Sequence, residues 1–277
     1  MIASRAMKKL SLTGKYTLVT GASSGLGLEM ARIIARDHKG HLVLAARRKD
    51  RLEALAEELR AAHGVDVVCV QADMTSREDV LRTCELATAG RAIHAAILNA
   101  GVSYFGPGLD LGFDDFEKML ATNVTSVVYL TQHFLKHQIE VGEGGGAMIV
   151  SSVAGTVPTT YQAAYCGTKA FLNNFGMALA EELVGDPVSV TVFVPGGIAT
   201  EMGVKSGTAK KFKKGDVGMM DADVCARRAV NGLVRRERFV IPGALNLLND
   251  IILRLTPRAI AAAMAARIYR DALPPKS

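Results

Sequence analysis

Tyr165 and Lys169 stand four residues apart in a segment of helical periodicity, Gln162 to Val184, which sets them on one face within mutual reach. A free tyrosine titrates at about 10 and is a poor proton donor or acceptor at neutral pH. A neighbouring ammonium favours the phenolate, so the spacing predicts a tyrosine drawn down toward useful acid/base range. Ser152 follows a short apolar run, Ala147 to Ser151, and its hydroxyl can hydrogen-bond a reacting carbonyl oxygen where charge develops. Such a set could move a proton to or from a reacting oxygen.

A second group of residues reads as a dinucleotide site. The run Tyr16 to Thr20 leads into Thr20-Gly21-Ala22-Ser23-Ser24-Gly25-Leu26-Gly27, which opens a helical segment, Leu26 to Arg36. A dinucleotide pyrophosphate must approach backbone N–H groups at a helix N-terminus, where the dipole favours negative charge and side chains would obstruct. The glycine spacing is not GxGxxG, so the turn alone is weak. A second apolar run ends in Ala45-Ala46-Arg47-Arg48, about 20 residues past the last glycine, where an acid would hold the ribose of NAD and an arginine the 2′-phosphate of NADP. Guanidinium pairs bidentately with phosphate, so the pattern predicts NADP(H), through Arg47 chiefly and Arg48 in support, with a hydroxyl contact from Ser23 or Ser24.

The elements that must position these groups are legible as alternation. Tyr16–Thr20, His41–Ala46, Val65–Gln71, Ala92–Leu98, Ala147–Ser151 and Val188–Val194 are nearly continuous apolar runs, as in parallel strands covered on both faces. Between them Leu26–Arg36, Lys49–His63, Arg77–Thr88, Phe113–Gln138 and Gln162–Val184 carry helical spacing. The β-α alternation predicts an α/β fold, a doubly wound Rossmann-type parallel sheet with helices on both faces. No Pro/Gly/Ser-rich linker divides the chain, so it reads as one domain, 1–277. The core spans about 14–243 and a helical tail follows, with Leu245, Leu248, Ile252 and Leu255 broken at Pro257 and resumed at Ile260, Met264 and Ile268.

Taken together, Thr20 to Gly27, Asn99-Ala100-Gly101, Asn123, Ser151-Ser152, Tyr165 to Lys169 and Pro195-Gly196 resemble the short-chain dehydrogenase/reductase family, in its single-domain, NADP-preferring branch. The resemblance implies that Gly21, Gly25 and Gly27, with Leu26 between them, line the pyrophosphate and that Asp73 contacts adenine. It implies that Asn99, Ala100 and Gly101 steady the sheet beside the cofactor, and that Pro195, Gly196, Ile198 and Thr200 border the nicotinamide. Tyr165 is then the general acid/base, Ser152 orients the substrate oxygen, Lys169 also holds the nicotinamide ribose, and Asn123 supports a water relay through that lysine. The implied activity is hydride exchange between NADP(H) and a small-molecule carbonyl or alcohol, by a homodimer or homotetramer. The contact would run through Phe113–Gln138 and Gln162–Val184, where Phe134, Leu135, Phe171 and Leu172 place apolar groups on more than one face. Val102–Leu109, Val153–Tyr161 and Glu201–Met220 would choose the substrate, the last as a lid.

Composition narrows the alternatives. With 49% hydrophobic and 22% charged residues the chain reads as globular instead of disordered. The net charge of +6 gathers in Lys205–Lys214 and Arg227–Arg238 without aromatic interleaving, so a solvated surface is read and no nucleic-acid partner. Cys69, Cys84, Cys166 and Cys225 show no metal spacing, and the helical pair His133 and His137 lacks a third ligand, so no metal is expected. Met1 to Leu12 has no apolar h-region and no apolar run reaches a membrane span, which predicts a cytoplasmic protein. An NADP-binding regulator on the same fold is an alternative function. A membrane-surface protein is another, since Arg254, Arg258, Arg267 and Arg270 lie near the tail's apolar stripe; packing over the cleft or a subunit is the reading preferred for that tail.

Overall fold

The computed structural model describes residues 7–198, 201, 216, 219–270 and 273. Seven parallel strands form one sheet: β1 (Tyr16–Thr20), β2 (His41–Ala46), β3 (Val67–Gln71), β4 (Ile93–Leu98), β5 (Gly145–Val150), β6 (Val188–Phe193) and β9 (Phe239–Val240), in spatial order β3-β2-β1-β4-β5-β6-β9. Strands β7 (Gly197–Ile198) and β8 (Met219–Met220) pair separately. The order reverses between β1 and β4, the switch point outside whose carboxyl ends open α/β sheets bind ligands.

Helices α1 (Gly25–His38), α2 (Lys49–His63) and α7 (Ala222–Val234) cover one face. Helices α3 (Arg77–Thr88), α5 (Ser126–Val141) and α6 (Ala163–Glu182) cover the other. Each β-strand of the central five is almost wholly buried, because β-branched and aliphatic side chains must satisfy helices on both sides. Phe193 anchors the first layer and Phe134 the second, both fully buried, so truncating either to alanine costs about 3–5 kcal/mol. Helix stops follow local chemistry: α2 and α5 end on Gly64 and Gly142 in the left-handed conformation.

Two features depart from the expected pattern. The helix predicted over Phe113–Gln138 is α4 (Phe113–Leu120), a single π-helical turn (Ala121–Thr125) and α5. Helix α7 and strand β9 occupy a region read only for its charge. There Arg227 pairs with Asp37, Arg238 with Glu181, and half-buried Arg236 donates to Gly145 O and Ser189 Oγ, so these cations are held by the fold. The group Lys205–Lys214, and all of the predicted lid except Glu201, Asp216, Met219 and Met220, lies outside the described residues. The tail is two helices, α8 (Ala244–Leu255) and α9 (Arg258–Arg270). Among the described residues no helix is long and apolar enough to cross a membrane.

Candidate active site at the switch point

Four strand ends meet here. Thr20 closes β1, and its Oγ accepts the amides of Asn99 and Ala100, both at 3.0 Å, which locks β4's exit to β1's. Asn99 returns the bond, its Nδ2 donating to Thr20 O at 3.0 Å. The glycines follow from this closeness. Gly21 has φ +68°, and a Cβ on Gly27 would stand 2.5 Å from Gly21 O and 2.6 Å from Asn99 Nδ2. At these two positions the fold itself requires glycine, whatever approaches from outside.

The turn then opens α1, whose N-cap Ser24 makes no side-chain capping bond and whose first turn holds no acid. Its N–H donors and positive dipole end therefore suit a phosphate. Arg48 reaches this point: Nη2 lies 2.7 Å from Ser24 Oγ and 3.1 Å from Ser23 Oγ. Arg47 is exposed, 3.9 Å from the Asp73 carboxylate. The chain turns into α2 at Lys49, which lays Arg48 against the serines of the glycine turn and points Arg47 toward Asp73. Asp73 lies beyond β3, where its Oδ1 accepts from both Thr75 N and Thr75 Oγ. Glu201, expected only as the start of a lid, accepts from Arg51 at 2.6 Å and Arg48 at 2.9 Å, and these arginines hold its carboxyl down at about 2.

The chemical half sits one strand over. Lys169 is buried, and its Nζ donates to Val150 O at the end of β5, 2.9 Å away. Ser151 Oγ donates to Lys169 O at 3.0 Å, and a Cβ on Gly155 would strike the Lys169 backbone, so residues 150–155 wrap this lysine. Ser152 caps the short turn Val153–Gly155 by accepting from Ala154 N. Tyr165, one helical turn before Lys169, is half-buried, with the ammonium 5.7 Å from its ring centroid.

The expected lowering of Tyr165 is not found. Its enclosure pushes the phenol up to about 12, against a hydrogen bond with Ser152 that pulls it down. The ammonium lies over the ring instead of at the hydroxyl, and burial brings Lys169 itself down to about 8.

Asn123 occupies the π turn, fully buried. Its side-chain amide clasps the Val102 backbone at both ends, 2.9 Å each, and donates to Thr168 Oγ at 3.2 Å. A π turn gives this side chain a direction that a regular α-helix would not, a recurrent device at functional sites. Asn123 Oδ1 and Lys169 Nζ both face Gly101, 3.4 and 3.7 Å from where a Cβ would stand, so Asn123, Lys169 and Gly101 converge.

Pro195 O accepts from Val153 N at 3.0 Å, which ties β6's exit to the Ser152 turn. Gly196 leads into β7, where Ile198 pairs in register with Met220. Thr200 lies outside the described residues. Thr20, Ser151 and Glu201 were not singled out as site residues in the sequence, although a threonine directly before a glycine turn at a strand end is a usable signal.

Of the two histidines once weighed together, His137 accepts the Ile93 amide through Nε2, a bond internal to the fold. The substrate-side segments also meet: Gly106 N donates to Tyr161 O, and the Phe105 ring lies 6.5 Å from Tyr161 and 5.8 Å from Tyr269 of α9. Cavities of about 350 and 530 Å³ flank the start of α6, lined among others by Tyr104, Phe116, Pro158 and Tyr161.

Comparison with known proteins places the chain in a family. The chain is 36% identical over 198 residues to an uncharacterized oxidoreductase, YxnA, of Bacillus subtilis, covering 70% of this chain and 55% of that protein's length. It is 31% identical over 240 residues to an NADP-dependent 3-hydroxy acid dehydrogenase of Schizosaccharomyces pombe, covering 84% of this chain and 92% of that one. A solved short-chain dehydrogenase from Sphingobium yanoikuyae, in complex with NADPH, superposes with a TM-score of 0.76 at 30% identity, over 88% of this chain and 97% of that one. Residues 15–211 match the short chain dehydrogenase family. The chain belongs to that family of oxidoreductases.

Proposed function

We propose that this protein is an NADP(H)-dependent carbonyl reductase or alcohol dehydrogenase in which Tyr165 is the general acid/base. The observation that carries the reading is the buried Lys169, pinned to Val150 O, with its ammonium over the Tyr165 ring one helical turn away. NADPH, when bound, supplies the hydride. The residues that fit it are the uncapped start of α1 with Gly21, Gly25 and Gly27 for the pyrophosphate, and Arg48 with Ser23 and Ser24 for the 2′-phosphate. Asp73 would serve the adenine side, and Asn99, Ala100, Gly101, Pro195, Gly196 and Ile198 the nicotinamide side.

Tyr165 stays protonated at neutral pH, so it donates to the alkoxide that forms as a carbonyl is reduced. Ser152 orients that oxygen and stabilises its charge. Lys169 steadies the phenolate left behind. Asn123 acts as a positioning residue, clamping the Val102 segment to the helix that carries it.

Val102–Leu109 and Val153–Tyr161 contain no charged residue, which favours an uncharged, largely apolar carbonyl compound. The protein acts as a homo-oligomer through the outer faces of α4–α6. There Phe171, Tyr129 and Met177 are exposed, whereas Phe134, Leu135 and Leu172, named for this role from sequence, belong to the core. The test is NADPH oxidation across carbonyl classes, with NADH alongside and light scattering for subunit number. Turnover of uncharged ketones or aldehydes with NADPH is expected. Turnover of none, with NADPH bound, would instead indicate an NADP-binding regulator.

A further inference from the structure

We propose that α8 and α9 dock this protein onto an anionic lipid surface. Helix α8 is built inside out. Its polar side faces the fold: Asn246 lies against Gly196 and donates to Pro242 O, and buried Asp250 bonds Arg254, whose guanidinium lies over the Phe239 ring. Its apolar side faces outward, with Leu245 at 53%, Leu248 at 54%, Ile252 at 52% and Leu255 at 82% exposure, all at helical spacing. Water selects the opposite arrangement. Helix α9 turns Ala261 inward, accepts from Thr160 Oγ through Ala262 O, and leaves Ile260 and Met264 half-exposed. Scattered exposed apolar residues need no explanation, but a stripe running over two successive helices does.

Charge decides what covers it. Asp250 is the sole acidic residue between 239 and 270, and it is buried. The outer surface instead carries exposed Arg258, Arg267 and Arg270, with Arg267 three residues beyond Met264 on the same outward face. A two-fold contact with a second copy would bring a net positive surface against itself, since Arg258, Arg267 and Arg270 outnumber the single following acid, Asp271. An anionic leaflet offers both complements: acyl boundary for the leucines and isoleucines, headgroups for the guanidiniums, which can extend past their own apolar stems. The contact lies in the interface plane, since neither helix can span. Because α9 also packs on Thr160 and Phe105, docking sets the substrate mouth at the lipid boundary. That consequence rests on the function proposed above; lipid binding itself does not.

The test is co-sedimentation of the full chain with vesicles of phosphatidylglycerol and phosphatidylcholine in equal parts, and of phosphatidylcholine alone. Binding to the anionic vesicles is expected, at least about tenfold tighter than to the neutral ones and weakened by salt. The pair Leu248→Glu with Ile252→Glu, both exposed, lowers binding about tenfold while melting temperature and NADPH binding stay unchanged. The pair Arg267→Glu with Arg270→Glu reduces the anionic preference and serves if the first pair misfolds. No binding to anionic vesicles overturns the proposal. So does light scattering that shows the leucine–isoleucine pair splitting an oligomer of the wild type, which would assign this face to a second copy.

Discussion

At the ends of β1 and β4 the polar groups are spent on one another: Thr20 holds Asn99 and Ala100, Asn99 holds Thr20, and Gly27 has no room for one more carbon. At α8 and α9 the inward side is similarly engaged, but the outward side is a row of aliphatic groups in water. The first region is over-determined, so its sequence has few choices. The second is fixed only on one side, and its other side is free to answer to a partner or a surface. The proposed chemistry sits in the first, and Phe105 beside it meets Tyr269 of the second. On the proposed function, position is assigned to buried strand ends, and selectivity to elements that the core does not constrain.

Substitutions on the two sides should therefore behave differently. The largest effect short of the tyrosine itself is expected at Lys169. Lys169→Met should lower kcat/KM about 10²-fold or more, because the charge beneath the phenol is lost. Its ammonium titrates at about 8, and the charged form exists below that pH and is lost above it. Carbonyl reduction by the wild type should accordingly fall as pH rises through about 8, with a one-proton slope that Lys169→Met lacks. A flat profile from pH 7 to about 10 would remove lysine from the mechanism.

Next comes packing. Gly27→Ala forces a Cβ to within 2.5 Å of Gly21 O and should cost about 1–3 kcal/mol, several degrees in melting temperature. Leu255→Ala, at a position 82% exposed, should stay within about 0.5 kcal/mol. Calorimetry that found the two alike would erase the contrast between the regions.

A smaller effect divides the two arginines. Arg48→Ala should raise the KM for NADPH about tenfold, the equivalent of about 1.4 kcal/mol, and leave that for NADH nearly unchanged. Arg47→Ala should do less, since its guanidinium lies toward Asp73 and not the serines. Equal losses for both cofactors on Arg48→Ala would break the 2′-phosphate assignment and leave the acid/base assignment intact.

The contrast also explains what could be read from sequence. Strands buried on both faces appear as unbroken apolar runs, and β1 and β2 match to the residue. The π turn at Asn123 was hidden because apolar periodicity passes through it with only a small phase change. Helix α7 was hidden by its charges, although Cys225, Ala226, Ala229, Val230 and Leu233 form a buried helical stripe. Spacing put Tyr165 and Lys169 on one face of a helix, where the structure has them, but said nothing about solvent access, which is what raises the phenol instead of lowering it. The sequence favoured Arg47, and could not show that the entry into α2 lays Arg48 on the serines of the glycine turn.

The most direct measurement is the turnover of Tyr165→Phe with NADPH binding followed on the same protein by nucleotide fluorescence. The substitution removes one hydroxyl and keeps the ring that packs near Lys169. The account predicts that NADPH binds as in the wild type while kcat falls by about 10²–10⁴-fold. A variant that keeps more than about a hundredth of the wild-type kcat would contradict it, because the proton would then come from another group.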